Sequence, residues 1–158
     1  MIALTLAEIA AAVGDELIPA DGTGPETVVQ GSVETDSREV SAGSVFFALP
    51  GATTDGALFA PAAVEAGAAL VIAERRIEVA APLIVVPDGV AALAALAREV
   101  VARVRARGAL RVAAVTGSNG KTTTKNLLRA ILDAEGPTVA PLGSFNNHVG
   151  APVSMLRV

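Results

Sequence analysis

The sequence predicts an α/β protein in two parts, and three observations carry that reading. Short β-branched runs alternate with helical stretches through the first half of the chain. Between residues 110 and 142 a strand, a glycine loop, a helix and a second strand follow one another, the order of a βαβ unit and the opening of a parallel sheet. The glycine loop at 116–120 also opens its helix directly, the context that a nucleotide phosphate loop requires.

Each element has a local reason. Residues 4–13 set Leu4, Leu6, Ile9, Ala10 and Val13 at helical spacing, with Thr5 and Glu8 spaced as a capping box and Gly14 as a stop. Residues 15–32, rich in Gly, Pro and Asp, read as short strands and turns. Ser44 to Leu49 reads as a buried strand ended by Pro50-Gly51, and Phe59 to Ala68 as a helix with Pro61 in its first turn. Leu70–Ala73 and Leu83–Val86 are two further short strands, which closes a small domain near residue 86.

From residue 87 a second part begins. Val90 to Arg107 predicts a helix with Leu93, Leu96, Val100 and Val104 on one stripe. Arg98, Arg103, Arg105 and Arg107 lie around its outer half, either as a solvated face near the negative helix end or as a phosphate-binding surface. Leu110–Val115 then predicts a strand, Lys121–Glu135 a helix and Thr138–Leu142 another strand.

Composition removes several classes of function. The chain has 158 residues, 52% apolar and 18% charged, with mean hydropathy +0.56, so it is not a disordered polyelectrolyte. Aromatics reach 3%, all Phe, so the core must be built from small aliphatic side chains. No cysteine is present, which excludes disulfides, thiolate chemistry and Cys-based zinc. A net charge of −4, a pI near 5.0 and the lack of Trp and Tyr argue against nucleic acid as a partner. No apolar run approaches the ~20 residues that span a bilayer, and Glu8 interrupts the apolar start, so no membrane insertion and a cytoplasmic setting are expected.

The chemistry concentrates at Thr116-Gly117-Ser118-Asn119-Gly120-Lys121-Thr122-Thr123-Thr124. Gly117 and Gly120 let the backbone curl so that N–H groups converge on an anion, and the helix start adds unpaired donors and positive dipole. Lys121 supplies a compact charge between the β- and γ-phosphates, and the Thr122 hydroxyl is placed to ligate Mg²⁺. The chain has only two lysines, Lys121 and Lys125, against ten arginines. Val115 stands where the full G-x-x-x-x-G-K-[ST] pattern has its first glycine, so the loop is a shortened variant. The competing reading is a glycine turn capped by Ser118 or Asn119 before an amphipathic helix.

These residues carry a resemblance. T-G-S-N-G-K-T-T at 116–123 resembles the shortened ATP loop of the Mur ligases, ATP-dependent amide ligases of peptidoglycan precursor synthesis. G-S-F-N-N-H-V-G-A-P at 143–152 is similar to the Asn-rich segment of the branch that adds D-alanyl-D-alanine to UDP-N-acetylmuramoyl-tripeptide. T-D-S-R at 35–38, G-S-V-F-F-A-L-P-G at 43–51, D-G at 55–56 and A-A-V-E-A-G-A at 62–68 resemble that branch's UDP-substrate domain. Ala57 departs from the His that many relatives carry. The resemblance implies residues 1–86 as a UDP-substrate-binding domain and 87–158 as the front of a P-loop, parallel-sheet ATPase domain.

It also implies roles. ATP and Mg²⁺ would be held by Gly117, Ser118, Asn119, Gly120, Lys121, Thr122 and Thr123, with Lys121 catalytic and Thr122 the metal ligand. Asp36, Ser37 and Arg38 would grip a diphosphate, or else form an Asx-type turn with Arg38 paired to Glu39 or Asp36. Gly51 belongs to a backbone cradle or to a hairpin-like loop. Asn146 and Asn147 either orient the UDP-N-acetylmuramoyl-peptide and the acyl phosphate or merely tolerate a left-handed turn. His148, the single histidine, reads as a surface or capping residue. Family members are far longer, so the expectation is a fragment with little ligase activity and with disorder, swapping or self-association in 109–158. Three rival readings remain open at this point: a sister ligase adding a diamino acid, a UDP-sugar-binding module and a small P-loop kinase or GTPase.

Overall fold

The computed structural model describes residues 1–14, 16–51, 54–108, 110–141 and 147–158. Its main sheet has five strands: β2 (Glu16–Ile18), β4 (Val33–Glu34), β5 (Val45–Ala48), β6 (Leu70–Ala73) and β7 (Leu83–Val85). They lie in the order β2-β7-β6-β5-β4, with β4 to β7 parallel and β2 antiparallel on the edge. A separate two-stranded ribbon pairs β1 (Leu4–Thr5) with β3 (Val28–Val29).

Both faces of the sheet are covered, which is why its central strands read as unbroken apolar runs rather than alternating ones. Side chains still alternate with period two. Val45, Phe47, Leu70, Ile72 and Ile84 point to one face and pack with Leu6 and Ile9 of α1 (Leu6–Val13) and Leu93, Leu96 and Val100 of α3 (Gly89–Ala106). Phe46, Ala48, Val71, Ala73 and Leu83 point to the other, against Ala60 and Ala63 of α2 (Ala60–Glu65).

Caps set the helix ends as the sequence indicates. Thr5 Oγ1 accepts the Glu8 amide at 3.1 Å while Glu8 Oε2 accepts the Thr5 amide at 2.8 Å, and Gly14 closes the helix. The outer arginines of α3 do not act together. Arg103 donates to Glu8 at 2.6 Å and to Glu99 at 2.6 Å, tying α3 to α1, while Arg98, Arg105 and Arg107 are exposed. Although the sequence reading assigned α3 to the second part, its apolar stripe is buried in the first core.

Three expectations need correction. Residues 110–115 and 138–141 form no strand, and residue 142 lies outside the described residues. A strand gains its hydrogen bonds only from a partner, and a parallel pair needs both faces covered. Val112 is 67% exposed and Val139 42%, so neither condition is met. Helix α4 (Lys121–Asp133) forms regardless, because its bonds are internal. The third correction is α5 (Gly150–Met155), a helix that the periodicity does not announce. It packs on α3, and Pro152, Ser154 and Leu156 are buried there.

Candidate functional site

The predicted site residues fall at three places in the fold. The first is the loop before α4. Gly117 adopts φ +147° and Gly120 φ +77°, regions that a Cβ makes costly, so the turn depends on glycine at both positions. Gly120 is the N-cap of α4, and no side chain caps the helix. The alternative cap by Ser118 or Asn119 is therefore not the one adopted. Uncapped first-turn N–H groups behind a curled glycine loop make a fixed set of anion donors.

Lys121 folds back over this loop. Its Nζ donates to the Gly117 carbonyl at 2.5 Å and, more weakly, to the Ser118 carbonyl at 3.4 Å. The ammonium thus lies across the mouth of the donor set. Thr122 and Thr123 are exposed in the first turn, with Ser118 and Asn119 exposed in the loop itself. Among the described residues no three His, Cys, Asp or Glu side chains converge as a metal site. The donor set has the chemistry to take a phosphate-sized anion. Lys125, one turn on, donates to the Pro141 carbonyl at 2.5 Å and anchors the segment leading to the Asn-rich stretch.

The second place is the carboxyl edge of the main sheet, where loops after parallel strands bind ligands in open α/β folds. Beyond β4, Asp36 starts a short 3-10 turn, Ser37–Glu39, by accepting the Arg38 amide at 3.0 Å. Its carboxylate also takes the Arg38 guanidinium, with Nε at 2.9 Å from Oδ1 and Nη2 at 2.5 Å from Oδ2. That ion pair, followed by the backbone donor, holds the Asp36 carboxyl at about 2 and raises Arg38 further. The turn reading of Asp36-Ser37-Arg38 is thereby realised, yet 85% of the Arg38 side chain stays exposed to an incoming anion.

Beyond β5, the chain turns at Pro50-Gly51. The Gly51 amide donates to Thr54 O at 2.9 Å, and Pro50 bridges Asp55, which ties Pro50-Gly51 to Thr54-Asp55. Asp55 and Arg75 form an ion pair that sequence reasoning did not single out. Its signal was the Arg doublet at 75–76, one residue beyond an apolar strand, together with the Asp-Gly pair noted at 55–56. The Asp55 carboxyl is lowered, first by the Ala57 amide and then by Arg75.

The third place is the start of α5. Asn147 Oδ1 accepts the Gly150 amide at 2.7 Å, so this side chain acts as a helix cap, and His148 beside it is exposed. Asn146 lies outside the described residues. No helix among the described residues is long and apolar enough to cross a membrane.

Known proteins match the chain over nearly its whole length. Residues 31–116 match the Mur ligase family, catalytic domain, and residues 115–158 the Mur ligase middle domain. The UDP-N-acetylmuramoyl-tripeptide–D-alanyl-D-alanine ligase of Mycobacterium tuberculosis is 43% identical over 180 aligned positions, covering 99% of this chain and 34% of the relative. A solved UDP-N-acetylmuramoylalanyl-D-glutamyl-2,6-diaminopimelate–D-alanyl-D-alanyl ligase from Acinetobacter baumannii superposes with a TM-score of 0.84 at 32% identity, over 100% of this chain and 34% of that one. The MurF ligase of Thermotoga maritima, solved in complex with ADP, gives a TM-score of 0.66 at 36% identity over 79% of this chain and 28% of that one. The chain thus spans about a third of the length of these relatives.

Proposed function

The chain belongs to the Mur ligase family, and on that premise we propose that it supplies the UDP-substrate-binding part and the ATP loop of a ligase joining D-alanyl-D-alanine to UDP-N-acetylmuramoyl-tripeptide. The observation that carries the reading is the uncapped N-terminus of α4 behind Gly117 and Gly120, with Lys121 across it. The family match supports the reaction class, and the ADP-bound relative supports the nucleotide.

ATP, with Mg²⁺, would supply the γ-phosphoryl group that the peptide carboxylate accepts to become an acyl phosphate, with ADP as the leaving group. The amine of D-alanyl-D-alanine then attacks the acyl carbon, forming the amide and releasing phosphate. This chain's share is positioning and charge neutralisation. The amides of residues 117–121 cradle phosphate oxygens, and Lys121 exchanges its carbonyl partners for the β- and γ-oxygens. Thr122 offers its hydroxyl to the metal, with Thr123 beside it on the phosphates. Arg38, released in part from Asp36, and the Gly51 loop take the UDP end of the substrate. This reading assigns the muramoyl-peptide to Asn146 and Asn147. We place the step in the cytoplasm, in the supply of cell-wall precursors. We set the boundary between the two parts after α3, because that helix is buried in the first core.

Separate titrations of the chain with ATP·Mg²⁺ and with the UDP-substrate test the proposal. Binding of both, with ATP binding lost in Lys121→Ala, supports it. Binding of the UDP-substrate alone would make the chain a UDP-sugar-binding module instead.

A further inference from the structure

Strands β5 and β6 run parallel and end side by side at Ala48 and Ala73. The loop after β5 folds on itself: Gly51 N–H reaches Thr54 O at 2.9 Å and Gly56 N–H reaches Leu49 O at 3.0 Å. Asp55 joins this loop to two things at once. Its Oδ1 accepts the Ala57 amide at 2.9 Å and starts the 3-10 turn Gly56–Phe59. Its Oδ2 takes two bonds from Arg75, at 3.2 Å from Nε and 2.9 Å from Nη2.

Arg75 comes from the end of β6, and that end is itself fixed. The preceding Glu74 accepts the Gly89 amide at 2.8 Å, which binds it to the start of α3. The loop is therefore braced, through one carboxylate, against the most rigid part of the fold. The pair is half-exposed, 54% for Arg75 and 42% for Asp55, so it adds little to global stability. With Nε and Nη2 both spent on Asp55, the guanidinium holds the loop rather than reaching for a ligand. What it holds is a surface: Gly51 at one end, and at the other Leu58 (66% exposed) and Phe59 (45% exposed). Arg38 lies beyond the neighbouring strand β4, about 10 Å of sheet from the end of β6. Backbone amides, an exposed apolar pair and a cation are the chemistry that a sugar, a base and a diphosphate call for.

We propose that Arg75 is a positioning residue for the UDP-sugar substrate, acting through Asp55 to hold the turn of residues 54–59 in its binding shape. The proposal rests on the function given above. Its test uses Arg75→Met and Arg75→Lys in this chain, titrated with UDP-N-acetylmuramoyl-tripeptide and, separately, with ATP·Mg²⁺. R75M is expected to weaken the UDP-substrate about tenfold, to leave ATP affinity within about twofold, and to speed amide exchange at Gly56 and Ala57. R75K, which keeps the charge, recovers most of the affinity. An R75M affinity for the UDP-substrate within about twofold of the wild type overturns the proposal, as does an equal loss for ATP, which marks general damage. A wild-type chain with no affinity for the UDP-substrate overturns the functional reading, and this proposal with it.

Discussion

Strands β5 and β6 bury every one of their residues, whereas α4 buries none of its thirteen. Both regions carry large apolar side chains, Phe46-Phe47 in one and Leu127, Leu128, Ile131 and Leu132 in the other. The difference lies in partners. Each strand of the first region has a neighbour on both sides or a helix over its face, so area burial and ladder bonds reinforce one another. Leu127 at 62% and Ile131 at 66% exposed face solvent, and α4 stands on its internal hydrogen bonds and on the glycine turn before it. The glycine loop before α4 is therefore a local structure, and the sheet edge that carries Arg38, Gly51 and Arg75 is a long-range one.

The sharpest way to break this contrast is to remove volume from each region. Phe47→Ala should cost about 3–5 kcal/mol in urea unfolding, because the side chain is fully buried and its cavity cannot collapse. Ile131→Ala should stay within about 0.5 kcal/mol, as expected of an exposed site. Equal losses at the two positions would show that α4 has a buried face after all.

Next in size is the loop itself. Lys121→Ala should weaken ATP·Mg²⁺ about 10–100-fold in equilibrium titration, the range for a hydrogen-bonded charge, with the unfolding midpoint unchanged. A shift in that midpoint would tie the loop to the global fold and erase the distinction drawn above.

A smaller effect belongs to α1. Thr5→Ala removes one half of the capping box and should destabilise the first region by about 1 kcal/mol. Nucleotide affinity should not change, since α1 and the loop have no shared support.

The smallest concerns pH. Asp36 titrates at about 2 when folded and near 3.8 otherwise, a depressed carboxyl, so its contribution is present above 3.8 and disappears as pH falls through 2. Wild-type stability should therefore decline more steeply than that of Asp36→Asn between pH 4 and pH 2. Because the pair is exposed the difference is small, and parallel curves would show that the pair adds nothing. Glu8, also lowered by Arg103 and the Thr5 amide, titrates in both proteins and cancels in the comparison.

Elements with a local cause were legible in the sequence. The Thr5–Glu8 box, the stop at Gly14, the strand Leu70–Ala73 and the helix behind Gly120 stand where spacing and turn residues put them. The strands expected at 110–115 and 138–142 were read from the same apolar signal as β5 and β6, but that signal records only willingness to pair. Helix α5 was missed for the converse reason: Gly150 and Pro152 are poor helix signals, and its burial on α3 outweighs them.

The candidate site divides in the same way. The amino-acid sequence by itself determined the phosphate loop, since two glycines, a lysine and a helix start within six residues need no distant contact to take shape. It also determined the Asp36–Arg38 turn, where both partners lie two residues apart. Only the tertiary structure decided that Arg75 reaches Asp55 across twenty residues and that α3 belongs to the first core. Those contacts exist because parallel strands β5 and β6 bring their ends together, and strand pairing is a choice among distant segments that no local pattern encodes.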